Sequence, residues 1–332
     1  MGVSAKDRVD GLRDVLDRYQ QQRFLPGFIY GVVKKFGDDE GGRHAALMAY
    51  YGFLSIFPVL LIIVATLSRL LVNDPQLRQQ LVNAIVPPQF RDVVYQGLAS
   101  LPTSGLAFVV GAVTLFGAGL RIVTTAFDTV NHVAGVPFRD RVTGISKWIR
   151  TLAMLIVLMI GLIAIGAVTV ASQVIPDRAG IQRLGEFIGT IVMTFLLMWI
   201  GAALLLPRPP RLKVIWPAAL IGSIAIAALL SFGSILLAHY ITSSGPIYGS
   251  FATIVGLFAF IALICQALVW SAEVVVVRHY KLSPRGLDRD NPTNADKRAM
   301  AILAHEQERL PAQANLTQFT SPDGTVAMDV PR

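Results

Sequence analysis

The stretch VIWPAALIGSIAIAALLSFGSILLAHYITSSGPIYGSFATIVGLFAFIALICQALVWSA, residues 214–272, decides the fold class because it contains no Lys, Arg, Asp or Glu over 59 positions. A helix needs about 20 apolar residues to cross the hydrocarbon core of a bilayer. The stretch is therefore too long for one membrane span and long enough for two. The SSGP sequence at 243–246 is a turn signal, and it predicts the break between the two spans.

Four other uncharged stretches precede this one. The composition of the whole chain agrees with a membrane protein, since 54% of its 332 residues are hydrophobic and only 15% are charged, against about 25% charged in soluble domains. We therefore predict an all-α polytopic membrane protein. Its six transmembrane helices are expected near 46–68, 106–127, 151–174, 187–206, 214–238 and 250–277.

The positively charged residues lie mainly on one side of these predicted spans. Sixteen Lys and Arg residues flank the side that holds both termini, and five flank the other side. Because positive residues stay cytoplasmic, both termini are predicted to face the cytoplasm. The chain then divides into a cytoplasmic N-terminal segment (1–44), a six-helix transmembrane domain (45–280) and a cytoplasmic polar tail (281–332).

The two flanking segments have patterns of their own. Apolar residues recur at three- and four-residue steps between 9 and 19, which indicates either a short amphipathic helix on the membrane surface or a helix that binds a partner or frays. Residues 294–310 predict one soluble helix that ends before Pro311. The polar composition of 312–332 predicts disorder.

Small residues within the spans favour close helix crossings. Gly185 with Gly189 and Ala218 with Gly222 have the spacing of small residues that let two helix backbones approach. Cys265 is the only cysteine, so no disulfide forms within the chain.

Three parts of the sequence together are similar to one known family. They are VKKFGDDE (33–40) followed by AALMAYYGFLSIFPVLL (45–61); NHVAGVP (131–137); and the set Leu206-Pro207, WPAA (216–219), Tyr240, YGS (248–250) and SAE (271–273). With these motifs the chain resembles the YihY/BrkB family of bacterial inner-membrane proteins, and within it the YhjD-like branch, over about residues 30–280. The family pattern near the end of the last helix is Gly-Ala-Glu, where this chain has Ser271.

The resemblance implies six transmembrane helices and a place in the bacterial cytoplasmic membrane. Members of the family were long labelled ribonuclease BN, a name regarded as a misassignment, and this branch has been linked to the export of lipid or lipopolysaccharide precursors. The resemblance therefore implies an anionic lipid or envelope precursor as the substrate.

The sequence contains no pattern that is typical of an enzyme active site. A metal-dependent nuclease needs a cluster of His, Asp or Glu, yet the five histidines show neither His-x-His nor His-x-x-x-His spacing. The sequence also lacks a phosphate-binding P-loop and a serine nucleophile elbow. We expect no catalytic residue, no metal and no cofactor. The basic residues form no stripe interleaved with aromatics, so nucleic acid is not an expected partner.

The acidic run Asp38-Asp39-Glu40 lies just before the first predicted span. Its residues are either a solvated connector or a site for a cation, and the connector is the favoured interpretation because the run stands alone in the sequence.

Two ionisable residues fall inside or near predicted spans, where a charge needs a partner or a water-filled cavity. Arg121 lies in the second span, after Gly117-Ala118-Gly119-Leu120, and Glu273 lies in the last turns of the sixth. Both are predicted at the cytoplasmic end, so one hypothesis is that Arg121 attracts an anionic headgroup that Glu273 holds or releases. The alternatives are a structural ion pair between the two, or side chains that extend to the interface.

Further candidate substrate-binding residues lie on the first two spans. Asp128, Asn131 and His132 follow Arg121 at helical steps, and they form either a polar stripe at the cytoplasmic mouth or a helix end that enters a loop. On the first span the candidates are Tyr50, Tyr51 and Ser55, next to Pro58. Proline inside a helix predicts a kink. The kinked helix either lines a cavity, or Tyr50 and Ser55 hydrogen-bond to neighbouring helices.

The first functional hypothesis is a transporter or flippase-like carrier of an anionic lipid or envelope precursor, with membrane lipids as partners. The alternatives are a carrier of small solutes or ions and a non-transporting structural or assembly factor whose tail recruits partners. The sequence does not indicate the oligomeric state or which way a substrate moves.

Overall fold

The computed structural model describes residues 15, 17–70, 105–174, 181–208, 211–243, 245–288, 292–320 and 326–327. Within these ranges the chain forms eight helices of eight residues or more, a 3-10 turn at Phe138–Asp140 and one small antiparallel pair of strands. The helices are α1 (Phe24–Asp38), α2 (Gly41–Leu70), α3 (Gly105–Val133), α4 (Gly144–Val174), α5 (Ile181–Leu205), α6 (Leu212–Ser243), α7 (Gly245–His279) and α8 (Asn294–Glu306); the strands are β1 (Phe319–Thr320) and β2 (Val326–Ala327).

The six long helices, α2 to α7, close into a ring. Each packs against the next along the chain, and α7 returns to pack against α2. Helix α3 also contacts α5 and α7 across the ring, and the shorter α1 lies against α7 and α2. Helix α1 therefore lies beside α7, from whose end the polar tail begins.

Four of the long helices contain a described stretch that is long and apolar enough to cross a membrane: Gly144–Gly166, Leu184–Leu205, Lys213–Gly233 and Ile254–His279. The prediction of a helical membrane protein is confirmed by these stretches. Helices α2 and α3 cover the other two predicted spans, but six spans and their orientation stay predictions.

Helices α6 and α7 cross closely at Gly222. A Cβ atom on Gly222 would lie 2.1 Å from Oγ of Ser271, so only glycine fits there. The Ser271 hydroxyl donates to the backbone oxygen of Ala267 at 2.7 Å, which satisfies it inside its own helix. The crossing expected at Ala218 and Gly222 is therefore present. A Cβ on Gly185 would meet nothing within 4 Å, so the same spacing does not mark a close contact there.

Helix α8 begins where the sequence predicted and ends earlier. The Thr293 side chain accepts from the backbone N–H of Asp296 and the Asp296 carboxylate accepts from that of Thr293, which forms a capping box. The helix ends at Glu306 rather than near 310. Of the residues predicted to be disordered, 321–325 and 328–332 lie outside the described part of the chain. Before them, the Asn315 amide donates to the oxygen of Ala304 at 2.8 Å and its backbone N–H donates to the buried Glu308 at 2.9 Å.

The amphipathic pattern at 9–19 falls mostly outside the described residues. The described residues 17–22 are helical. Helix α1 buries one face, formed by Gly27, Gly31, Val32 and Lys35. A lysine on the buried face of a helix needs partners of opposite charge, and these partners define the site described next.

Candidate functional site

A group of buried charged side chains lies where α1, α2, α3, α7 and α8 meet. We call it the buried charge cluster. It contains three carboxylates and three cationic groups, namely Asp39, Glu273, Glu306, Lys35, His132 and Arg141.

Lys35 is the centre of the cluster. Its side chain is 1% exposed and forms ion pairs with Asp39 and with Oε2 of Glu273, the latter at 3.6 Å. Its Nζ also donates to the backbone oxygen of Val133 at 3.3 Å. One lysine thus joins the end of α1, the end of α3 and the last turns of α7. Burial raises the pKa of Asp39, an effect that the charge of Lys35 opposes.

His132 is held as a cation by two acceptors. Its Nδ1 lies 2.7 Å from Oε1 of Glu306, and its Nε2 lies 3.1 Å from the backbone oxygen of Asp39. Both acceptors require an N–H, so both ring nitrogens are protonated. The hydrogen bond with Glu306 raises the pKa of His132, which agrees with that geometry. Arg141 pairs with the same carboxylate.

A second histidine beside His132 is held neutral. The rings of His44 and His132 are 4.7 Å apart, and Nδ1 of His44 lies 3.4 Å from the hydroxyl of Thr129. Burial lowers the pKa of His44, and the neighbouring charge of His132 lowers it further. The pKa values of the two imidazoles are therefore shifted in opposite directions.

Three further ion pairs join α1, α8 and the segment between α7 and α8, and two of them reach α1. Arg285 is 1% exposed at its side chain and contacts Asp38 at 2.7 Å and Asp296 at 2.8 Å, while Lys34 contacts Asp296 at 2.9 Å. Burial alone would raise the pKa of Asp296, but hydrogen bonds from Lys34, the backbone N–H of Gly286 and Arg285 hold it well below its usual range.

The acidic run is not the solvated connector that the sequence favoured. Asp39 is fully buried, and Asp38 pairs with Arg285. Only Glu40 is exposed, where it pairs with Arg43. The burial of Asp39 and the ion pair of Asp38 were not visible in the sequence, because their cationic partners are Lys35, one helical turn earlier, and Arg285, more than 200 residues later.

Arg121 and Glu273 do not form the hypothesised pair. Glu273 is fully buried, and its ion pair within the described chain is with Lys35. Arg121 is exposed on α3, and it lies about three turns before His132, the cluster residue of the same helix. The sequence hypothesis gave Arg121 and Glu273 equal depth, but the cationic partner of Glu273 comes from α1.

The polar residues that follow Arg121 have separate partners. Asp128 is exposed and pairs with Lys147 of α4 at 2.9 Å. Asn131 is fully buried, and its amide donates to the backbone oxygen of Phe127 at 2.7 Å and of Leu205 at 2.9 Å. Asn131 therefore joins α3 to the end of α5, and Asp128 and Asn131 do not share partners.

The candidates on the first span lie away from the cluster. Tyr50 is exposed, and its ring packs edge-on against Tyr51 with centroids 5.2 Å apart. The Ser55 hydroxyl donates to the backbone oxygen of Gly52 at 2.6 Å. Helix α2 is continuous through position 58, and the side chain of Pro58 lies outside the described residues, so the kink stays a prediction.

Sequence reasoning missed most of the cluster because it counted Lys34, Lys35 and Arg141 only as orientation signals. One local signal was available: Lys35 and Asp39 have the i, i+4 spacing of a helical ion pair, and Lys35 follows Gly27 and Gly31 at four-residue steps along the buried face of α1. No such signal joins Lys35 to Glu273 or His132 to Glu306, since the two residues of each pair are far apart in the sequence and meet only in the folded chain.

Comparison with known proteins gives the family. The profile of the family described as "Virulence factor BrkB" matches residues 32–297. The chain belongs to the BrkB family. The matched region of this BrkB family protein begins just before Lys35 and includes Asp39, His132 and Glu273, whereas Glu306 lies beyond it.

Relatives of this BrkB family protein are known as membrane proteins. A UPF0761 membrane protein from each of two Vibrio vulnificus strains, YJ016 and CMCP6, is 28% identical to it over 265 residues, which cover 74% of this chain and 80% of the relative. A UPF0761 membrane protein of Vibrio atlanticus (strain LGP32) is 27% identical over 257 residues, 73% of this chain and 79% of the relative. No solved structure matches the chain.

Proposed function

We propose that this BrkB family protein is a transporter or flippase-like carrier of an anionic lipid or envelope precursor in the bacterial cytoplasmic membrane. One observation supports the proposal above the others: Lys35, Asp39 and Glu273 are buried together at the end of an apolar helix. Charged groups at such a place are costly, and in membrane proteins they mark the path of a substrate or an ion.

The buried oxygens of the cluster have unused capacity for a proton or another ligand. Oδ1 of Asp39 and Oε1 of Glu273 are buried and accept no hydrogen bond. The three carboxylates of the cluster face three cationic groups, so the gain or loss of one proton changes the net charge of the site. A carrier needs such a group, whose charge changes as the ring of helices changes shape.

An apolar groove supports a substrate with acyl chains. It lies between α6 and α7, has a volume of about 330 Å³ and is lined mainly by aliphatic residues together with Trp270, Gln266 and Ser271. The groove lies next to the close crossing at Gly222, on the same helix that holds Glu273.

The proposal is tested by the rate at which fluorescent phosphatidylglycerol crosses the bilayer of vesicles that contain the purified protein. Glu273→Gln keeps the size of the side chain and leaves the Lys35–Asp39 pair in place, so we expect the fold to persist and the rate to fall about tenfold or more. The matched control is Glu186→Gln on α5, a half-buried glutamate outside the cluster, for which the rate should stay at the wild-type value.

A wild-type rate equal to that of vesicles without protein would contradict the proposal. If the Glu186 and Glu273 variants lost the same fraction of this rate, the buried charge cluster would have no specific role in transport. If labelled small ions crossed and the lipid did not, the carrier of small solutes or ions would replace the lipid carrier. If neither crossed, the structural or assembly factor would be favoured.

A further inference from the structure

A cavity of about 290 Å³ lies between the start of α1 and the end of α7. Its lining combines the basic side chains of Arg23, Arg278 and Lys281 with the aromatic rings of Phe24 and Phe28. No acidic side chain lines this cavity in the described part of the chain. A cavity that is basic on one side and apolar on the other is complementary to an anionic amphiphile.

The cavity lies at the end of the apolar stretch of α7, where lipid headgroups are expected. The apolar stretch of α7 runs to His279, so Arg278 and Lys281 lie at its end. Basic residues at this depth attract anionic headgroups, whereas the same residues deeper in the bilayer would be costly.

Helix α1 has an exposed apolar face that begins at this cavity. Phe24, Leu25, Ile29 and Val33 are all exposed, Phe24 by 78%, and three of them follow one another at four-residue steps. The ring of Phe24 stacks on that of Phe28 with centroids 5.8 Å apart. An exposed apolar face of a helix beside a membrane span is typical of a helix that lies in the interface, and it provides a surface for acyl chains.

Lys281 occupies a backbone conformation that favours glycine. Its φ is +53°, and the N–H of the next residue, Leu282, donates to the oxygen of Val277 at 2.9 Å. This is the hydrogen bond of a Schellman helix end, where the left-handed position is most often glycine. The chain has a cation there instead, and its side chain lines the cavity.

The two walls of the cavity are held close together by glycines of α1. A Cβ atom on Gly27 would lie 3.3 Å from Cβ of Pro284, and one on Gly31 would lie 3.0 Å from the backbone oxygen of Leu282. The basic residues of α7 and the aromatic residues of α1 therefore keep a fixed separation.

We propose that this cavity binds the phosphate headgroup of an anionic phospholipid, with Arg23, Arg278 and Lys281 around the phosphate and the acyl chains along the exposed face of α1. The inference rests on the proposed function, because it names the place where the lipid substrate of that carrier binds. It moves the expected headgroup site from Arg121 to the end of α7.

The experiment counts the lipids retained by the full-length protein in native mass spectrometry. The protein in detergent receives phosphatidylglycerol or phosphatidylcholine with the same acyl chains, or soluble glycerol phosphate. Two pocket variants are compared with wild type: Arg278→Gln with Lys281→Gln, and Lys281→Gly alone. The matched control is Arg211→Gln with Lys213→Gln, an exposed basic pair at the start of α6.

Retention of phosphatidylglycerol should fall about fivefold for each basic side chain removed from the pocket, because each such charge contributes about that factor to binding at an anionic surface. Lys281→Gly should lose lipid and yet unfold at the same temperature or higher, since glycine suits the backbone at that position. The control should retain as much phosphatidylglycerol as wild type, and glycerol phosphate should not compete for the site.

Equal retention of phosphatidylglycerol by wild type and both pocket variants would overturn the inference. Equal retention of phosphatidylcholine would overturn selectivity for an anionic headgroup. Competition by glycerol phosphate would overturn the lipid as the ligand. A protein that retains phosphatidylglycerol through these residues but moves no lipid would keep this site and reject the carrier. If the protein moved lipid and the pocket variants did so at the wild-type rate, the carrier would be kept and this site rejected.

Discussion

At the scale of single residues, Lys35 makes the strongest prediction. Its replacement by Met leaves Asp39 and Glu273 buried next to each other without a cation. Removing one partner of a buried ion pair costs about 3–5 kcal/mol, so Lys35→Met should lower the unfolding temperature markedly. Lys34→Met is the matched comparison, because Asp296 keeps its contact with Arg285, and its effect should be much smaller.

A triple variant separates a structural from a functional role of Lys35. Lys35→Met combined with Asp39→Asn and Glu273→Gln removes all three charges together, so most of the lost stability should return. Thermal unfolding in detergent measures this. If the triple variant is no more stable than Lys35→Met, the three side chains are not one electrostatic unit.

His132 predicts how stability depends on pH. Its pKa is raised in the folded protein by the hydrogen bond with Glu306, so its contribution is complete below the ordinary histidine pKa of about 6.5 and is lost as the pH rises through the raised value. We expect the unfolding temperature of wild type to fall as the pH rises above neutral. His132→Asn should be less stable by about 1.5–3 kcal/mol at pH 6, the contribution of a hydrogen bond to a charged group.

The control for this prediction is His279→Asn, since His279 is exposed and outside the cluster. It should keep the pH dependence of wild type. A His132 variant whose unfolding temperature still falls with pH as in wild type would show that another group titrates.

At the scale of helices, the crossing of α6 and α7 makes its own prediction. Gly222→Ala brings a Cβ to 2.1 Å from the Ser271 hydroxyl and 2.8 Å from its Cβ, and overpacking of this kind costs about 1–3 kcal/mol. Adding Ser271→Gly removes both atoms, so the double variant should recover most of the loss. Gly185→Ala, which meets nothing within 4 Å, should not destabilise α5. Failure of the double variant to recover would mean that the two helices do not cross as described.

The helices themselves could be predicted from the sequence because uncharged stretches of span length leave little alternative. The predicted start of α8 was correct for a local reason, the capping box of Thr293 and Asp296. The site could not be predicted in the same way, because its contacts join distant positions. His132 meets Glu306 only because the tail after α7 folds back along α3, and neither residue lies in a pattern that indicates the other.

At the scale of the whole molecule, the tail is part of the structure rather than an appendage. Glu306 and Glu308, both about 1% exposed, bind Arg141 and Arg139 beside the end of α3, and Arg285 binds Asp38 of α1. Deletion of residues 283–332 would therefore expose buried partners on α1 and α3. Such a deletion tests the fold as well as any partner of the tail.

The predicted orientation places this polar end in the cytoplasm. Leu310 is exposed, so Leu310→Cys in a Cys265→Ala background gives one reactive thiol in the tail. A membrane-impermeant maleimide should label it only after spheroplasts are permeabilised. Labelling in intact spheroplasts would place the tail on the outer side and reverse the topology.

The most direct test of the account as a whole is the rate of phosphatidylglycerol movement across vesicles that contain the wild-type protein, measured beside phosphatidylcholine with the same acyl chains and beside vesicles without protein. We expect the protein to accelerate the movement of phosphatidylglycerol severalfold more than that of phosphatidylcholine. If both lipids cross at the rate of protein-free vesicles, the protein is not a carrier of anionic lipids.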